Sequence, residues 1–127
     1  MIDYRDRYYR ELRRHVEKWE ESFREFIENV CRSGFIKTLL LVGSRARGDY
    51  RDSSDFDVIA IVGDDEDAIE IITRLRRLVK DRFPLDLIAI PESDLGDPLY
   101  REMLKDSIDL CKEERDIDTM LRSKMMV

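Results

Sequence analysis

Glutamine is absent from this 127-residue chain, and asparagine occurs once, at Asn29. Both amides are thermolabile, and their scarcity beside 41% charged residues points to a thermophile protein carrying surface ion-pair networks. Histidine also occurs once, at His15, so neither a histidine-built metal site nor a histidine-based catalytic triad is available. The two cysteines, Cys31 and Cys111, lie far apart in a chain without a signal-like opening. They are expected to be buried reduced thiols rather than a disulfide. No apolar run is long enough to span a bilayer, and there are no repeats or low-complexity linkers. A net charge of -6 argues against a general nucleic-acid coat. The expectation is a cytoplasmic chain of one domain, residues 1–127, long enough to bury a real core.

Glycine and proline are few enough to act as punctuation. Neither occurs before Gly34, and Tyr4, Tyr8, Leu12, Val16, Trp19, Phe23, Phe26, Ile27 and Val30 recur at steps of three and four. One long amphipathic helix over 3–32 is predicted, longer than a small domain needs, so Tyr4, Tyr8 and Leu12 are expected to overhang as core or interface. A core over 35–112 follows. It has strands at 35–42, 56–62 and 85–90 and a crossover helix at 66–82 burying Ile69, Ile72, Leu75, Leu78 and Val79. Asp97 as cap and Pro98 at the first position predict a last helix reaching Lys112. The tail, 113–127, is only weakly periodic.

The chemistry concentrates between Leu39 and Ile61, in LLLVGSRARGDYRDSSDFDVIAI. Gly43 ends an apolar strand where a phosphate can approach the backbone, and Ser44 opens a short helix whose free N–H groups suit an anion. Asp55 and Asp57 stand two apart at the start of a strand and therefore share a face. A phosphate cradle facing paired carboxylates suits a metal-bound nucleotide. For Ser44 and Asp55 to meet one ligand, strands one and two must run antiparallel. Asp86, also at a strand start, requires strand three to run parallel to strand two. The fold class expected is α/β, a small mixed sheet of about three strands packed with helices.

Gly43, Ser44, Ala46, Arg47, Gly48, Ser54, Asp55, Asp57 and Val58 stand in the order and spacing of a known signature. The stretch resembles that of the minimal nucleotidyltransferases in the DNA polymerase β-like nucleotidyltransferase superfamily, and the resemblance covers roughly residues 35 to 90. It implies that Asp55, Asp57 and Asp86 are catalytic and hold two Mg²⁺ ions, with Asp86 helping to activate an acceptor hydroxyl. It implies that Gly43 and Ser44 bind the nucleotide phosphates, with Arg45 or Arg47 offsetting charge on the departing pyrophosphate. The stand-alone members are commonly antitoxins paired with a HEPN-type toxin, to a tyrosine of which they transfer AMP from ATP. That partner, or a second copy, would complete the acceptor site. A binding module acting by contact alone, and an enzyme acting on a small molecule or an RNA end, are the competing readings.

Overall fold

The computed structural model describes residues 4–50 and 54–112. Arg51 and Asp52 in the motif loop, and the tail 113–127, lie outside the described residues. Helix α1, Tyr4–Ser33, buries Phe23, Phe26, Ile27 and Val30 against the sheet. Its overhang is shorter than the apolar stripe predicts. Val16 is buried and Leu12 half-buried, while Tyr8 and Tyr9 are 63% and 62% exposed.

Among the described residues four strands, not three, form the sheet: β1 (Thr38–Val42), β2 (Phe56–Val62), β3 (Leu85–Pro91) and β4 (Ile108–Asp109), in the order β3-β2-β1-β4. Strands β1 and β2 pair antiparallel, with Val42 opposite Asp57. Strands β2 and β3 pair parallel, with Asp57 opposite Asp86. Both directions follow the expectation drawn from where the acids must meet. Side-chain alternation splits the sheet into two faces. Leu39, Leu41, Phe56, Val58, Ala60, Val62 and Leu87 belong to the core shared with α1 and with Ile71 and Leu75. Val42, Ile59, Ile61 and Ile90 form a second core with Leu95, Tyr100 and Leu104. Asp57 and Asp86 lie in phase with Ile59 and Ile88, so the acids open onto this second face.

Helix α2 is Gly43–Arg47, and the crossover helix α3, Ala68–Arg76, starts later and ends earlier than predicted. Its cap is Asp67, whose carboxylate accepts from the N–H groups of Ile69 (2.9 Å) and Glu70 (3.2 Å). That start turns Ile71 and Leu75 inward and leaves Ile69 77% exposed, against the expectation that Ile69 is buried. A 3₁₀ turn, Glu92–Gly96, leads into α4, Pro98–Met103, capped by Asp97 as expected.

The last predicted helix stops at Met103 instead of reaching Lys112. Beyond it, Ile108 and Leu110 alternate with Ser107 and Asp109, a period of two that suits a strand. Strand β4 lies on the edge of β1 left open by β2, where the Leu110 N–H donates to the Leu39 carbonyl at 2.8 Å. Satisfying that edge and burying Leu110 outweighs the local helical preference. The same pairing brings Cys111 to the end of α1, where it forms a disulfide with Cys31 (Cα–Cα 5.5 Å). The expectation of two reduced thiols is thereby overturned. The cysteines are 80 residues apart, and only the sheet brings them together.

Candidate active site

Gly43 sits where β1 becomes α2, with a φ of 74° that favours glycine. A Cβ at this position would lie 2.5 Å from Asp57 Oδ2. Glycine is therefore required by backbone shape and by the carboxylate facing it. Helix α2 is closed by Gly48, at φ 86°, whose N–H donates to the Ser44 carbonyl at 2.9 Å.

Gly43, Arg47, Asp57 and Asp86 line a cavity of 330 Å³. Val42, Ile59 and Ile88 give it an apolar floor, and Glu102 and Met103 of α4 complete the wall. Asp57 is half-buried between two other acids, and its pKa is raised. Loss of solvent is the larger cause, followed by the charges of Asp86 and Asp55, with Arg45 and Arg47 opposing. Ser44 and Asp55 adjoin this group without lining the cavity. Asp55 is exposed at the mouth of β2.

The two arginines of the motif part company. Arg47 is exposed, lines the cavity and pairs loosely with Asp49 at 3.3 Å. Arg45 is not brought to the cavity, which corrects its expected place among the nucleotide-binding groups. It is 1% exposed, and its Nε and Nη2 donate to the Ser54 carbonyl at 3.1 and 2.9 Å. Its guanidinium lies 3.8 Å from the Phe56 ring centroid and 4.6 Å from that of Tyr50, with Glu20 at 3.9 Å. Arg45 ties the end of the motif loop to the core.

Among the described residues, no three acids, histidines or cysteines converge closely enough to enclose an ion unaided. The donor set nevertheless fits Mg²⁺. This ion takes one or two carboxylates and completes its octahedron with water and substrate phosphates. Asp57 and Asp86, in register on neighbouring strands, would supply those carboxylates, and a cation would offset the burial and the repulsion that together raise Asp57. Glu102 and Met103 are absent from the expectations drawn on sequence. The cap and proline that start α4 are legible there, but the face it turns toward the acids is not.

Paired acids beside a glycine-opened cavity, on a mixed sheet whose first strand passes directly into a short helix, define a transferase of phosphate-bearing groups. The chain belongs to the nucleotidyltransferase domain family, which it matches over residues 23–124. A 61-residue stretch is 46% identical to a Methanocaldococcus jannaschii protein named "putative protein adenylyltransferase". That match covers 44% of this chain and 59% of the relative, so the chain spans about three-fifths of the relative's length. A crystal structure described as a "putative nucleotidyltransferase" from Sulfolobus solfataricus superposes with a TM-score of 0.55 at 23% identity. The superposition covers 77% of this chain and 84% of that one, and it shows a shared fold.

Proposed function

We propose that this nucleotidyltransferase moves AMP from ATP to a hydroxyl of a protein, a tyrosine of a HEPN-type toxin, and so acts as that toxin's antitoxin. The observation that carries nucleotidyl transfer is the register of Asp57 against Asp86 beside Gly43. The protein acceptor is favoured by the name of the Methanocaldococcus jannaschii relative, and the HEPN partner by the motif's resemblance to the minimal nucleotidyltransferases.

In this reading Asp55, Asp57 and Asp86 hold Mg²⁺, and Gly43 and Ser44 receive the β- and γ-phosphates. When bound, Mg²⁺ offsets phosphate charge and favours an in-line displacement. The acceptor oxygen bonds to the α-phosphorus as the bond to the β-phosphate oxygen breaks. The hydroxyl proton passes to Asp86, and pyrophosphate leaves with its charge offset by Arg47. The apolar floor of Val42, Ile59 and Ile88 limits water as a competing acceptor.

The test is incubation of the purified chain with ATP, Mg²⁺ and a HEPN-type partner, followed by intact-protein mass spectrometry. An AMP adduct on a partner tyrosine, lost in Asp57→Asn, is expected. Neutralisation of the partner with no adduct, and equally by Asp57→Asn, would establish the contact-only module instead.

A further inference from the structure

We infer that the wall of the cavity contributed by α4 is a ribose subsite, in which the Glu102 carboxylate accepts hydrogen bonds from the sugar hydroxyls of the nucleoside triphosphate. The inference rests on the nucleotidyl-transfer reading and specifies how the same site holds its nucleotide. The cavity is lined from two sources, the strand starts with α2 and the helix α4. Gly43, Arg47, Asp57 and Asp86 make the side suited to metal and phosphates. A nucleotide with its phosphates there must place its sugar and base over Ile59 and Ile88, against the wall carrying Glu102 and Met103.

Glu102 is not a further member of the acid group. The carboxylates acting on Asp57 are those of Asp86 and Asp55, and Glu102 does not join them. Among the described residues no hydrogen bond or ion pair engages its side chain, which is exposed at the cavity rim. An ionised carboxylate only accepts hydrogen bonds, so it repels phosphate and selects O–H or N–H donors. Its two oxygens match a vicinal diol, the use an acidic residue serves in ribose recognition elsewhere. The position is held firmly. Asp97 caps α4, Pro98 occupies its first turn, and Tyr100 and Leu104 anchor it in the second core on either side of Glu102. Met103, beside it, offers a polarisable thioether to the face of a base.

The test is calorimetric titration of the wild type, Glu102→Gln and Glu102→Ala with ATP, 2′,3′-dideoxy-ATP and inorganic tripolyphosphate, all with Mg²⁺. Wild type should bind ATP roughly ten- to a hundredfold tighter than dideoxy-ATP, the range of a charge-assisted hydrogen-bond pair. In Glu102→Ala that preference should collapse toward unity, in Glu102→Gln it should fall partway, and tripolyphosphate affinity should hold or rise in both. An unchanged ATP preference in Glu102→Ala overturns the inference, as does a parallel loss of tripolyphosphate binding, which would return Glu102 to the metal group. Wild type that binds neither ATP nor tripolyphosphate overturns the nucleotidyl-transfer reading itself, and the ribose subsite with it.

Discussion

Replacing Arg45 with alanine tests the division of labour between the two arginines most directly. The guanidinium is fully buried, makes two hydrogen bonds to the Ser54 carbonyl, and lies between the Phe56 and Tyr50 rings with Glu20 close by. Truncation leaves the Glu20 carboxylate, itself 7% exposed, without its neighbouring cation. Breaking a buried pair in this way destabilises by about 3–5 kcal/mol. For a domain of this size that lowers the urea midpoint by roughly 2 M at an unchanged slope. Arg45→Ala with Glu20→Leu should recover part of the loss, since the buried carboxylate that loses its neighbouring cation is removed as well. Arg47→Ala is the control. Its side chain is exposed with one loose partner, so stability should move by less than about 0.5 kcal/mol while ATP affinity falls. Urea titration followed by circular dichroism, with calorimetry for ATP, reads both effects. An Arg45→Ala protein of wild-type stability that has lost ATP affinity would refute the assignment and place Arg45 at the phosphates.

Asp57→Asn should abolish transfer and raise the melting temperature of the metal-free protein, since it removes a charge that burial and two acids disfavour. The sign follows from the raised pKa. Asp57's contribution to stability is fully present below its unfolded value and is lost as pH rises through the higher folded value, so Asp57→Asn should be more stable than metal-free wild type at neutral pH but not in acid. Gly43→Ala should destabilise by about 1–3 kcal/mol through its left-handed backbone, and should displace Asp57, so transfer falls more than stability alone explains. Reducing the Cys31–Cys111 bond, which closes a separation of 80 residues, should lower stability by about 4.5 kcal/mol, measured by denaturant titration with and without reductant. A reduced protein of unchanged stability would show the bond to be incidental.

Local rules were reliable wherever one element's own geometry decides the outcome. Strand β2 begins and ends where its apolar run placed it, at Phe56 and Val62. Asp97 caps α4 as its short polar side chain before Pro98 required. The directions of β1, β2 and β3 followed from requiring Ser44, Asp55 and Asp86 to face one ligand; the cavity takes Asp86 with Arg47 and with Gly43 and Asp57, the neighbours of Ser44 and Asp55, which themselves do not line it. Where two elements compete for one segment, the local rules failed. Residues 104–112 carry helical propensity, yet the open edge of β1 draws Ile108 and Asp109 into the sheet.

The sequence by itself determined the Gly43-to-Asp57 motif, the pairing of two acids on one strand face, and the helix and strand periodicities that build an α/β sandwich. These depend on spacing along a single chain segment, where the periods of 2 and 3.6 and the backbone freedom of glycine leave little choice. The tertiary structure decided which arginine serves the site, because residues two apart on a helix point about 200° from one another and only docking selects the side facing the cavity. It likewise decided that Glu102 lines one cavity with Asp57, that Ile69 faces solvent, and that Cys31 meets Cys111. Each of these is a contact between segments far apart in the chain, made by packing of the whole sheet and carried by no local pattern.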